Sequence, residues 1–77
     1  MEVANLFESI ERLKQHGDAV RIANLVNSMR VSNGLEKISP AYIRSMLNGQ
    51  RKITDEVANV ATKYYEAQVQ TQQLLQV

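Results

Sequence analysis

Hydrophobic side chains near the start of the chain recur every three to four positions, which is the spacing of one face of an α-helix. These apolar positions are Val3, Leu6, Phe7, Ile10 and Leu13. The pattern predicts a first helix over residues 3–16. We expect Lys14 and His16 in its last turn, where positive charge suits the helix dipole, and Gly17 as its C-terminal cap.

The same spacing continues after Asp18, a residue type that often caps the N-terminus of a helix. It predicts a second helix over residues 19–30. The apolar positions of this helix form a wide arc and are Ala19, Val20, Ile22, Ala23, Leu25, Val26 and Met29. Because the arc is wide, we expect the helix to pack on more than one side, with Met29 in the core.

Residues 31–38 allow two interpretations. Asn33-Gly34 is a favoured two-residue turn of a β-hairpin, but arms of two or three residues do not form a stable hairpin by themselves. The alternative is a loop that ends the second helix and carries Glu36 and Lys37 into solvent. We favour the loop, because Asn-Gly is also a common helix stop.

Ser39-Pro40 predicts the start of a third helix. A serine hydroxyl caps free backbone amides, and proline at the first helical position gives up no hydrogen bond. The helix is expected to run to about Asn48 and to end at Gly49. The side chains predicted to face inward are Ile43, Met46 and Leu47, and those predicted to face outward are Ala41, Arg44, Ser45 and Asn48.

Thr54, followed by two acidic residues, predicts the start of a last helix. Its apolar stripe is Val57, Val60, Tyr64, Ala67, Thr71 and Leu74. The stripe places Tyr64 in the core and Tyr65 at a rim or an interface. We expect residues 1–66 to form one domain and residues 67–77 a C-terminal helical extension or tail.

Composition narrows the class of protein. The chain has 77 residues, no cysteine and one histidine, which excludes disulfides and metal sites built from cysteine or several imidazoles. The helical segments predict an all-α bundle of about four to five helices in one small domain. No apolar run is long enough to span a bilayer and no secretory signal is visible, so the expected location is the cytoplasm.

Enzymatic chemistry finds no support in the sequence. It offers no pair of carboxylates at a useful spacing, no nucleophile with a base and no glycine-rich phosphate loop. A chain this small also leaves little room for a closed pocket. We therefore expect no catalytic residue, no cofactor, no metal and no small-molecule substrate.

The distribution of charge differs from its near-neutral total of +1. Residues 30–52 contain five Lys and Arg residues against one acidic residue, whereas residues 1–29 and 53–77 each carry more acidic than basic side chains. The positive charge is therefore concentrated around the third helix, as expected of a segment that contacts DNA.

The second and third predicted helices have the layout of a helix-turn-helix unit. In such a unit a helix with a wide apolar face is joined by a connection to a short helix, which basic residues follow in this chain. The short helix would lie in the major groove of duplex DNA. Its candidate base-reading residues are Ala41, Tyr42, Arg44, Ser45 and Asn48. The candidate phosphate-contacting residues, at the ends of the helix, are Ser39, Gln50, Arg51 and Lys52.

Residues 22–66, and above all residues 42–57 with Leu47-Asn48-Gly49 followed by Gln50-Arg51-Lys52, resemble the Cro and lambda-repressor-like (XRE-type) helix-turn-helix family. Leu-Asn-Gly also looks like the lac-repressor type of headpiece. The resemblance implies a homodimer that binds an operator and regulates transcription, as a repressor, in a bacterium or a phage-infected host. The chain departs from the family in its longer connection over residues 31–38 and in Pro40-Ala41, which offers no side-chain hydrogen bond where members often carry a polar reader.

A second function remains open from the sequence. The last ten residues, 68–77, contain five glutamines interleaved with Val69, Leu74, Leu75 and Val77. Together with the apolar stripe, this composition suits contact with another helix. The alternative is therefore a small protein-interaction module, of the anti-repressor, adaptor or antitoxin type, that uses its C-terminal helix.

Overall fold

The computed structural model describes the backbone over residues 3–75 and the side chains from residue 6 onward. Residues 76 and 77 of the predicted extension lie outside this range. The described chain contains four helices and no strand: α1 (Val3–Leu13), α2 (Asp18–Ser32), α3 (Pro40–Leu47) and α4 (Asp55–Leu75). The prediction of a small all-α bundle is therefore confirmed.

A single apolar core joins the four helices. α2 packs against both α3 and α4, and α1 packs against α4. The largest fully buried side chains are Tyr65, Leu6, Ile22, Ile43, Met46, Val26 and Val57. Since every helix contributes to this set, α3 is held by the same core that holds the rest of the molecule.

The end of α1 and the start of α2 differ from the prediction. α1 ends at Leu13, so Lys14 and His16 lie in the connection between the helices. Gly17 does not cap α1; it directly precedes α2, with a φ of 90° that suits glycine. Asp18 does not cap α2 either, because its carboxylate accepts the backbone N–H of Gln15 at 2.7 Å.

α2 extends to Ser32 and buries only one side, so the expectation of packing on several sides is wrong for this chain alone. Val20, Leu25 and Met29 are 44%, 49% and 54% exposed, and Met29 is not a core residue. The remaining surface of α2 has no covering element, because the described chain supplies α3 and α4 on one side only.

The connection between α2 and α3 is a loop, as we favoured over the hairpin. It opens with a turn at Asn33-Gly34, in which Gly34 has a φ of 74°, and residues 35–39 have no regular structure. The backbone N–H of Leu35 returns to the carbonyl of Arg30, at 2.8 Å. Glu36 and Lys37 are exposed, as expected of the loop.

The two tyrosines of α4 exchange the positions predicted for them. Tyr65 is buried and Tyr64 is half-buried, because the inward face of α4 continues from Val57 through Ala61 to Tyr65. Both tyrosines share one partner, Asp18. Its carboxylate lies where it accepts both tyrosine hydroxyls, at 2.7 Å from Tyr64 and 2.9 Å from Tyr65. The later positions of the predicted stripe, Ala67, Thr71 and Leu74, are exposed.

Candidate nucleic-acid interface

Helix α3 buries one face and exposes the other. Ile43 and Met46 are fully buried and Leu47 is buried as well, as predicted from their spacing. The opposite face carries the exposed side chains of Ala41, Arg44 and Asn48 and the half-buried Ser45. Since α3 contains no acidic residue, its outward face carries no negative side chain.

The hydroxyls of Ser39, which precedes α3, and of Ser45 within α3 each make one hydrogen bond to the backbone. Ser39 caps the helix, as predicted, by accepting the backbone N–H of Tyr42 at 3.2 Å, which leaves its own proton to donate. Ser45 donates to the carbonyl of Ala41 at 3.1 Å and keeps its lone pairs for a donor. A phosphate oxygen suits Ser39, and a base-edge amino group suits Ser45.

A tight turn after α3 displays the basic residues. Gly49 has a φ of 79° and ends the helix, and the backbone N–H groups of Gln50 and Arg51 both donate to the carbonyl of Ser45, at 2.9 and 3.2 Å. These bonds fix the backbone of the turn. The side chains of Gln50, Arg51 and Lys52 are all exposed.

Arg51 stacks on Tyr42. The guanidinium carbon lies 5.1 Å from the ring centroid, a cation–π distance. At about 100° per residue, Tyr42 and Arg44 lie on opposite flanks of the outward face of α3. Tyr42, which is 38% exposed, lies at one flank with Arg51 over its ring. Arg44 lies at the other flank.

Arg30 does not contribute to the exposed positive charge around α3, although the count over residues 30–52 included it. Its guanidinium donates to both carboxylate oxygens of Glu56, at 2.9 and 3.0 Å, and to the carbonyl of Glu36. Because this pair is half-buried, the charge of Arg30 is compensated inside the fold. The exposed positive charge around α3 belongs to Lys37, Arg44, Arg51 and Lys52.

Asn27 fixes the start of α3 and was missed by the sequence analysis. Its carboxamide nitrogen donates to the carbonyl of Ile38 at 2.8 Å, and its oxygen accepts the N–H of Ile38 at 2.7 Å. Ile38 directly precedes the cap residue Ser39. Asparagine has a low helix propensity, and its side chain readily bonds to backbone groups. Its position inside α2 was therefore the feature of the sequence that could have indicated such a contact.

The tyrosine pair tethers α4 to the start of α2. Burial, followed by the hydrogen bond to Asp18, raises the pKa of Tyr65 above its usual value. The same two causes raise the pKa of Tyr64. The hydrogen bond between Arg21 and the Tyr64 hydroxyl raises the pKa of Arg21. Asp18 thus fixes the connection between α1 and α2 as well as α4.

The described residues provide neither a metal centre nor a membrane span. Between residues 3 and 75 no three His, Asp or Glu side chains are grouped as metal ligands, and no helix there is long and apolar enough to cross a bilayer. No protein-family model, no curated protein and no solved structure matches the chain. A functional assignment therefore depends on the geometry and charge of α3 and the segments around it.

Proposed function

We propose that this chain is a sequence-specific, double-stranded DNA-binding regulator of transcription, acting as a repressor in a bacterial cell or a phage-infected host. The observation that carries the proposal is the outward face of α3. It is exposed, carries no acidic side chain and is followed by a fixed basic turn. A short helix of this kind fits the major groove.

The side chains on that face match the chemistry of base edges. Arg44 suits the two acceptors of a guanine, and Asn48 suits the donor and acceptor of an adenine. The exposed methyl group of Ala41 suits contact with a thymine methyl group. Ser45 and Tyr42 complete the candidate reading set, Ser45 with its free lone pairs and Tyr42 from the flank under Arg51.

The ends of α3 supply the phosphate contacts. Lys52, Gln50 and Arg51 are displayed by the turn, and stacking on Tyr42 restricts the rotamers of Arg51 before a phosphate arrives. Ser39 contributes a hydroxyl donor at the opposite end. Contacts of this kind orient a protein on DNA without reading its sequence.

We further propose a homodimer formed through the end of α4. Leu74 and Leu75 are 75% and 80% exposed, and α4 carries no charged residue from Ala67 to Leu75. In a two-fold symmetric contact, segments meet their own copies, so an uncharged segment avoids repulsion between like charges. A second copy also supplies the second half-site reader that two-fold operators require.

The experiment is a selection from random-sequence duplexes, with the bound fraction measured at several salt concentrations. We expect binding that weakens with salt and an enriched, two-fold symmetric sequence. No binding at low salt contradicts the proposal. Binding without any enriched sequence contradicts its specific part.

The exposed end of α4 also favours a second candidate function, the protein-interaction module. Two adjacent leucines at 75% and 80% exposure form an apolar patch, and exposed apolar patches often mark contacts with other proteins. A chain that shows no affinity for duplex DNA, but loses a protein partner on truncation before Ala67, supports this second function.

A further inference from the structure

The connection between α1 and α2 lies beside α3, which the order of the sequence does not suggest. Lys14, His16 and Gly17 line one groove together with Arg44 and Asn48 of α3. The floor of the groove is apolar and includes Ala19 and Leu47. Lys14 and His16 are exposed at its rim. Two candidate base-reading residues therefore share a groove with a segment that lies about thirty residues earlier in the chain.

The charged side chains exposed in this groove are basic. Asp18 is the acidic residue that lines it, but Asp18 is 5% exposed and its carboxylate accepts three hydrogen bonds from Gln15, Tyr64 and Tyr65. Lys14 and Arg44 make no ion pair within the described chain. Lys14 and Asn48 also line a neighbouring groove together with Glu8 and Glu11, so acidic side chains border the basic residues on that side.

The groove lies on the flank of α3 opposite the basic turn. Arg44 occupies one flank of the outward face, and Tyr42 with Arg51 occupies the other. A helix in the major groove has one phosphate strand on each side, about 12 Å apart. The candidate phosphate contacts of the turn at residues 50–52 serve one flank of α3, and none of them lies on the Arg44 flank.

We propose that Lys14 and His16 form a second phosphate-contacting site, which binds the DNA strand on the Arg44 flank of α3. This inference depends on the proposed DNA-binding function. Lys14 supplies the charge, and the His16 ring supplies a hydrogen-bond donor beside it. Asp18 holds the connection in place through the N–H of Gln15, so the backbone of the site is ordered without DNA. The turn at residues 50–52 then contacts the other strand.

The test compares Lys14→Ala with Lys63→Ala, which removes the same charge from an exposed position on α4, away from this groove. We expect Lys14→Ala to weaken binding to all duplexes and to lower the slope of log affinity against log salt by about one. Lys63→Ala should leave both quantities unchanged. Circular dichroism spectra of the variants check that each is folded.

Phosphate-ethylation interference locates the contact. With the wild-type chain we expect interference on both strands of a half-site, and with Lys14→Ala on one strand only. Lys52→Ala separates this inference from the proposed function. If Lys52→Ala lowers the salt slope and Lys14→Ala does not, the second site is wrong and DNA binding stands. If the wild-type chain binds no duplex, the proposed function fails.

Discussion

At the scale of single residues, Arg44 is the side chain best placed to contact a base under the proposed function. It is exposed on a face without acidic neighbours in α3, and it is free of ion pairs to the described residues. We expect Arg44→Ala to weaken binding to the selected duplex by about 1–3 kcal/mol and to relax the preference at one base pair. Fluorescence anisotropy on duplexes with single substitutions measures both effects.

Arg12→Ala is the matched control for Arg44. Arg12 is exposed on α1 and is not among the residues that line the groove beside α3. Its removal should change affinity little and leave the base preferences intact. Equal effects of the two variants would mean that Arg44 contributes only general charge.

A second residue-scale prediction concerns Tyr65 and pH. Its pKa in the folded chain lies above the ordinary 10.0, so the stability that this group contributes is present below about pH 10 and is lost as the pH rises further. We expect the free energy of unfolding to fall between about pH 9 and pH 11, and to fall less in Tyr65→Phe. Urea denaturation followed by circular dichroism at both pH values measures the difference.

Tyr42→Phe provides the comparison for Tyr65. Tyr42 is 38% exposed and its hydroxyl is not bound to Asp18, so its loss should leave the alkaline decrease as large as in the wild type. An identical decrease in Tyr65→Phe and the wild type would show that Tyr65 does not carry the effect.

At the scale of elements, the start of α3 is fixed from outside the helix. Asn27→Ala removes both bonds to Ile38 and leaves its backbone groups half-buried without those partners. We expect a loss of about 1–3 kcal/mol in the free energy of unfolding and faster hydrogen exchange at the Ile38 amide. Two-dimensional NMR and urea denaturation give the two readouts.

Asn24→Ala makes the same change one turn earlier, at an exposed position of α2. Because alanine is the better helix former, this variant should be neutral or slightly more stable. We therefore expect the free energy of unfolding to fall in Asn27→Ala and to stay the same or rise slightly in Asn24→Ala. A stability gain in Asn27→Ala would show that the contact with Ile38 is dispensable.

Local signals account for the elements that the sequence predicted well. The cap at Ser39, the proline after it and the stop at Gly49 act within a few residues, so the bounds of α3 followed from the chain alone. The pairs Asn27–Ile38 and Arg30–Glu56 join residues 11 and 26 positions apart. No periodic pattern encodes such pairs, because they depend on how the helices pack.

The tyrosines of α4 show the same limit. Tyr64 and Tyr65 are adjacent and chemically equal, so helical spacing had to choose between them. From Val57, helical spacing allows a face through Val60 to Tyr64 as well as one through Ala61 to Tyr65, and the packing of α4 against α1 and α2 buries Tyr65. The position of Lys14 beside Arg44 could not be predicted from the sequence either, because it depends on the path of the connection between α1 and α2.

At the scale of the whole molecule, the described chain is elongated, with extents of 42 × 25 × 22 Å. The exposed end of α4 contributes to this shape, and under the proposed function it joins two copies. We expect Leu74→Glu with Leu75→Glu to raise the dissociation constant of the homodimer at least about tenfold, because two apolar contacts are lost and like charges are brought together. Sedimentation equilibrium measures the constant.

Leu35→Glu is the control for the dimer. Leu35 is 49% exposed in the connection before α3, and its change replaces an exposed leucine by one negative charge at a different surface. We expect no effect on self-association. A wild-type chain that stays monomeric at all concentrations would contradict the homodimer but not the proposed contact of α3 with DNA.

The tethered connection between α2 and α3 has a thermodynamic consequence. Ordering a free backbone costs about 1–2 kcal/mol per residue. In this chain Asn27 and Arg30 already hold the connection through Ile38 and Glu36. That entropy is lost during folding, so under the proposed function it is not lost a second time on DNA binding. Docking of α3 should therefore show the small heat-capacity change of a rigid contact, well below that of coupled folding and binding.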